Sequence, residues 1–170
     1  LVEALLQRVD GQVGLKHTLI VLASDHGVDA IPEYRASLRL PAGRLRSETV
    51  VEDLDAQLRA LFNCEDNLVR DFLNPSLFFN WETMNKHGLD PARVEAEAAK
   101  ILLGMEGISA AVTRTDLLAD DLPDTMVMNR VRASFHPERS GEIHLVQAPF
   151  WYLYPNSRPN TATHGSPHLY

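Results

Sequence analysis

Hydrophobic positions change their period along the chain, and each change marks an element. Leu1, Val2, Leu5, Leu6 and Val9 recur at helical spacing and stop at Asp10-Gly11 and Gly14, so the chain is expected to open in a helix. The stretch "TLIVLAS" (18–24) is instead continuously apolar and β-branched at its start, the pattern of a strand covered on both faces in a parallel α/β sheet. Residues 34–46, with Pro41 and Gly43, predict an irregular crossover. Helical spacing returns at Val50, Val51, Leu54, Leu58, Leu61 and Phe62, with Ser47 as the expected cap and Glu48 and Glu52 in the first turns of the helix.

Beyond Pro75 the pattern becomes a compact alternation of strands and helices. "LFFNW" (77–81) predicts a strand, and Asp90-Pro91 opens a helix running to Leu103, with proline at the first helical position. "ISAAVTR" (108–114) predicts a second strand, 126–135 a second helix, and the alternating "EIHLVQ" (142–147) a half-buried third strand. Helices on one face of a small sheet would make an α+β sub-domain of ferredoxin-like appearance, inserted as a cap. The expected division is therefore a core α/β segment over 1–71, the cap over 72–148 and a return to the core over 149–170.

Composition excludes several function classes. The formal charge is −7, and no stripe of Lys and Arg with interleaved aromatics runs through the chain, which argues against a nucleic-acid surface. The longest apolar stretch, 18–23, is far too short to span a bilayer. No charged-then-apolar signal segment opens the sequence, but it begins at Leu1 rather than Met and reads as a piece of something longer. Cys64, the single cysteine, excludes an internal disulfide and a cysteine-based zinc site, and reads as a half-buried small apolar residue.

The candidate chemistry sits where the apolar run of 18–24 stops. Neighbouring side chains on a regular strand point to opposite faces, so Asp25 and His26 can converge on one ion only if the strand has ended and the backbone bends, as Gly27 permits. The carboxyl edge of an open α/β sheet is where ligands sit. Carboxylate oxygen with imidazole nitrogen suits zinc or another divalent first-row metal better than calcium or magnesium. The alternative is structural, with Asp25 capping a turn and His26 hydrogen-bonded at the sheet edge.

Three blocks together are more specific than any one: "TLIVLASDHGVDAIPEY", "FHPERSGEIHLVQAPFWYLY" and "THGSPHLY". In that order, with a sub-domain of suitable length between them, they resemble the C-terminal part of the alkaline phosphatase superfamily, in particular its type I phosphodiesterase and nucleotide pyrophosphatase-like branch. The resemblance covers essentially the whole chain. It implies part of an alkaline phosphatase-like core sheet carrying the cap, with two zinc ions at the sheet's carboxyl edge. It further implies that Asp25 and His26 ligate one zinc and His164 the other, and that a serine or threonine nucleophile forms a covalent phosphoenzyme. The substrate would be a small phosphate ester, in a periplasmic or secreted setting.

The departures from the family pattern are equally specific. The nucleophile, a first aspartate ligand and an Asp-x-x-x-His pair belong upstream of the "DHG" block, so no catalytic residue is expected in this chain and the nucleophile is expected N-terminal to Leu1. With one or two ligands per metal, where zinc takes about four, the 170 residues should bind zinc weakly and hydrolyse nothing. An exposed sheet edge would favour self-association into a homo-oligomer. The rival readings are a sulfatase or phosphonate hydrolase relative, or a non-catalytic binding or assembly domain. Ser166 lacks the strand-elbow setting of a hydrolase nucleophile. His136, His144 and His168 read as structural or surface residues, and His17 and His87 as turn residues. Arg139 reads as a turn salt bridge, and the aromatic run Phe150, Trp151, Tyr152 and Tyr154 as core packing or as a pocket wall. Tyr34 is expected in the loop beside the site, with its role left open.

Overall fold

A computed structural model of the chain describes residues 1–154 and 165–168. The first element is the expected helix, α1 (Val2–Gln12), but none of its residues is buried. One turn of 3-10 helix (Leu15–His17) follows, then residues 18–31 without helix or strand, then α2 (Pro32–Ser37). The expected strand over 18–24 is therefore not formed. Leu19, Val21 and Leu22 are 89%, 77% and 97% exposed. A strand persists only when a neighbouring strand takes up its N–H and C=O groups, and none of the described elements pairs with this one.

Two sheets carry the rest. β1 (Gly43–Arg46), within the expected crossover, runs directly into α3 (Ser47–Phe62) and pairs in parallel with β6 (Trp151–Tyr154), the aromatic run, with Gly43 opposite Trp151 and Arg46 opposite Tyr154. The second sheet has the order β2-β3-β5-β4, all neighbours antiparallel. It is built from β2 (Val69–Leu73), β3 (Ser76–Phe79), β4 (Ile108–Thr113) and β5 (Ile143–Gln147). Between the strands lie α4 (Trp81–Lys86), α5 (Pro91–Leu103), α6 (Arg114–Ala119) and α7 (Met126–Ser134). The whole is mixed α/β, with a parallel and an antiparallel sheet.

The period of two in β5 decides how the layers stack. Ile143 and Leu145 face Leu54 and Leu58 of α3 and Val94, Ala98 and Leu102 of α5, all in one buried cluster with Leu77 and Phe79 of β3. Val146, on the other face, packs with Val112 of β4 and Val131 of α7. Helices thus cover both faces of this sheet rather than one. The expected half-buried β5 is therefore covered on both faces, with Val146 as the apolar anchor of its second row.

Buried carboxylates join the pieces. Asp55 on α3 accepts the backbone N–H groups of Leu68 and Val69 at 2.7 and 2.8 Å, and its other oxygen pairs with Arg59 at 2.9 Å, which fixes the start of β2 against the helix. Glu142 accepts the Phe79 N–H at 2.7 Å and the Trp81 indole N–H at 2.9 Å, tying β5 to the β3–α4 corner. Glu95 accepts the Thr115 N–H at 2.9 Å, and burial pushes its carboxyl above the usual range. Trp151 links the two sheets by lying against Gly107, where a Cβ would stand 2.2 Å from the indole ring. Ser47 is not a cap: its hydroxyl donates to the Tyr154 carbonyl at 3.2 Å and so bolts the start of α3 to the end of β6. Asp90 does cap α5, accepting the Ala92 N–H at 3.2 Å.

Candidate metal site and the contacts that support it

Asp25 and His26 lie in the non-regular segment 18–31, at a bend, with side chains 87% and 40% exposed. The turn is held locally. The Asp25 carboxylate accepts the His26 N–H at 3.0 Å, and the Ser24 hydroxyl donates to the His26 carbonyl at 2.6 Å. His26 Nδ1 lies 2.9 Å from the Gly27 carbonyl oxygen. A carbonyl can only accept, so Nδ1 carries the proton and, in the neutral ring, the lone pair is on Nε2.

Nε2 is 3.5 Å from Asp25 Oδ2. Two ligand atoms at the usual zinc distances of about 2.0–2.1 Å stand about 3.3–3.4 Å apart on a tetrahedral ion. The 3.5 Å separation is close to that spacing, and the Gly27 carbonyl holds the ring through Nδ1. Among the described residues no group of three or more His, Cys, Asp and Glu side chains gathers to complete such a site. His164 lies outside the described residues. The segment just after it, 165–168, is seated on the four-stranded sheet and α7: His168 Nε2 is 2.8 Å from the Gln147 carbonyl, and Arg130 of α7 donates to the Pro167 carbonyl.

The loop beyond His26 is anchored by residues whose role the sequence did not single out. The Tyr152 hydroxyl lies 3.0 Å from both the Asp29 and the Ala30 carbonyl oxygens. Glu33 on α2 takes Arg44 of β1 in a two-pronged ion pair, with Nε at 2.6 Å and Nη2 at 2.8 Å. Arg44 also lies over the rings of Tyr152 and Tyr154, 5.3 and 5.5 Å from their centroids. Its guanidinium lowers the Glu33 carboxyl to about 2. Neither pairing leaves a local signature, because Glu33 and Arg44 are 11 residues apart and Tyr152 is more than 120 from its carbonyls.

The remaining candidates have structural partners. His144 is largely buried within β5, and burial lowers its pKa. His136 Nδ1 accepts the Glu138 N–H in the turn after α7, and Ser166 Oγ accepts the His168 N–H. The Arg139 backbone N–H donates to the His136 carbonyl in that same turn, but among the described residues the expected Arg139 salt bridge is not formed. Cys64 is buried and its thiol donates to the Asp66 carbonyl at 3.3 Å. His87 and Lys86 both reach Asp66, at 3.0 and 2.7 Å, beside a cavity of about 480 Å³; Lys86 first and His87 second hold the Asp66 carboxyl below its usual range.

The same arrangement of elements occurs in a solved enzyme. The wild-type alkaline phosphatase PafA superposes on 97% of this chain with a TM-score of 0.83 at 18% identity, over 30% of its own length. The fold is that of a segment of an alkaline phosphatase. A multiply substituted variant of that alkaline phosphatase matches with a TM-score of 0.79. In sequence, the alkaline phosphatase PhoV of Synechococcus elongatus is 24% identical over 153 residues, 90% of this chain and 26% of the relative. A protein of Myroides odoratus named as a calcium-transporting ATPase is 26% identical over 161 residues, 95% of this chain and 29% of the relative. No family model matches. The chain thus spans less than a third of the relatives it resembles, and the likenesses support a relationship to the alkaline phosphatase superfamily.

Proposed function

We propose that the chain is the metal-edge and cap portion of a zinc-dependent phosphoester hydrolase. The single observation that carries this reading is the Asp25–His26 pair: a carboxylate oxygen and an imidazole nitrogen 3.5 Å apart, in a chain with the alkaline phosphatase fold. Asp25 and His26 would hold one zinc, with Nδ1 of His26 fixed on Gly27, and His164 would contribute to a second. Bound zinc supplies a Lewis acid for the phosphoryl oxygens and lowers the pKa of a coordinated hydroxyl.

Hydrolysis would pass through a phosphorylated serine or threonine, with that nucleophile supplied outside these 170 residues. Both an alkaline phosphatase and a protein named as an ATPase are among the relatives, so the substrate class is a phosphate ester or anhydride, the range a phosphomonoesterase or a nucleotide pyrophosphatase would cover. A periplasmic or secreted location fits that class. The sulfatase-type reading has no support of this kind.

With two donors beside each other and a third apart in sequence, the 170 residues alone would bind zinc weakly and turn over no substrate. Incubation of the purified chain with zinc and a chromogenic phosphate ester should give no product. Chelator-sensitive turnover would overturn the incomplete-site reading, and zinc binding that survives both Asp25→Ala and His26→Ala would overturn the ligand assignment.

A further inference from the structure

The contacts around the Asp25–His26 loop form a clamp that spans three elements. Tyr152 comes from β6, Arg44 from the paired strand β1 and Glu33 from α2, and they stack upon one another. Tyr152 and Arg44 are direct partners in the parallel register, so one backbone ladder places both side chains. Tyr152 is 3% exposed, while the loop it reaches is largely exposed.

A tyrosine hydroxyl buried at one end of a sheet must find a partner. Here it takes two carbonyls of the loop, at Asp29 and Ala30. Those carbonyls lie three and four residues past His26, which limits the separation to roughly 10–14 Å even if the chain were fully extended. Pro32, buried at the first turn of α2, and the Glu33–Arg44 pair then fix the chain just beyond. A side chain acting on backbone atoms this close restricts where the upstream ligand pair can stand.

We propose that Tyr152, with the Glu33–Arg44 ion pair beneath it, is a positioning residue for the Asp25–His26 metal pair. It acts through the Asp29 and Ala30 carbonyls rather than on the ion. The inference rests on the proposed metal site and adds to it a determinant from the far end of the chain, 126 residues after His26.

Three variants of the 170-residue chain, Tyr152→Phe, Glu33→Gln and His26→Ala, test this with zinc as the probe. Tyr152→Phe keeps the ring and its packing and removes the hydroxyl alone. It should weaken zinc binding about tenfold, the lower end of the effect of losing an outer-shell partner. Without zinc, it should speed amide exchange in residues 26–31 while leaving β3 and β5 protected. Glu33→Gln should act in the same direction and less strongly. If His26→Ala abolishes zinc binding while Tyr152→Phe binds zinc as the wild type does, the positioning role is overturned and the metal site stands. If His26→Ala leaves zinc binding unchanged, the metal site itself is overturned. Loosening of the loop with no loss of zinc affinity also defeats the proposal, because it leaves Tyr152 a purely structural role.

Discussion

Residues 43–154 and residues 18–31 follow different rules. The first stretch buries two apolar clusters, satisfies its internal carboxylates and closes two sheets. The second is the more apolar to the eye, with "TLIVLA" in sequence, yet it is open to solvent and holds no regular structure. Hydrophobicity alone therefore does not make an element. What separates the regions is whether a partner surface is supplied, and the candidate chemistry sits in the region that lacks one. Its order comes from a few polar contacts reaching out of the compact part.

The sharpest way to break this comparison is to remove a polar joint inside the compact region. Asp55→Ala deletes two buried hydrogen bonds and leaves Arg59 without its ion-pair partner. It should cost about 3–5 kcal/mol, read as a shift of the urea midpoint. A loss below about 1 kcal/mol would mean that β2 is held by apolar packing alone.

The next effect depends on pH. Burial lowers the His144 pKa, so the folded state takes up a proton less readily than the unfolded chain. Its contribution to stability is complete above the unfolded value near 6.5 and falls as pH drops below that. His144→Val should flatten the stability profile between pH 7 and pH 5, whereas an unchanged slope would place the titration elsewhere.

Glu33 behaves in the opposite sense and belongs to the clamp. Its carboxyl is lowered from 4.5 to about 2 by Arg44, so the ion pair contributes above 4.5 and is lost as pH falls toward 2. Because half of the Glu33 side chain is exposed, the effect is small. Amide exchange of residues 26–31, corrected for the intrinsic pH dependence, should show the same protection at pH 5 as at pH 7, and less near pH 3. Loss of protection already at pH 5 would show that this pair does not hold the loop.

The smallest effect is expected where the sequence is most apolar. Leu22 is 97% exposed, so Leu22→Ser should change stability by less than about 0.5 kcal/mol. A loss of 2 kcal/mol would show that residues 18–24 pack against a surface, and would dissolve the contrast between the two regions.

Legibility in the sequence follows the same division. The periodicity of Val50, Leu54 and Leu58, the Asp90-Pro91 start of α5, and the strands β3, β4 and β5 could be read because each pattern reports a buried face that the chain itself covers. The strand expected over 18–24 does not form for the complementary reason: a continuous apolar run signals burial on both faces but says nothing about who provides it. β1, with two arginines in "GRLR", has too few apolar positions to show a period, and the apolar residues of β2, "VRDFL", do not alternate, its register shifting between Val69 and Asp71. Of the proposed site, Asp25 and His26 were visible as a pair and His164 through the resemblance. The anchoring contacts of Tyr152, Arg44 and Glu33 were not, since contacts between distant positions follow from the register of β1 on β6.

The central claim is that Asp25 and His26 share one divalent ion, and titration with Co²⁺ tests it most directly, because its visible bands report which donors are bound. The wild-type chain should develop weak bands at high metal concentration that disappear in both Asp25→Ala and His26→Ala. Identical spectra and affinities in the wild type and both variants, or no binding by the wild type at all, would contradict it.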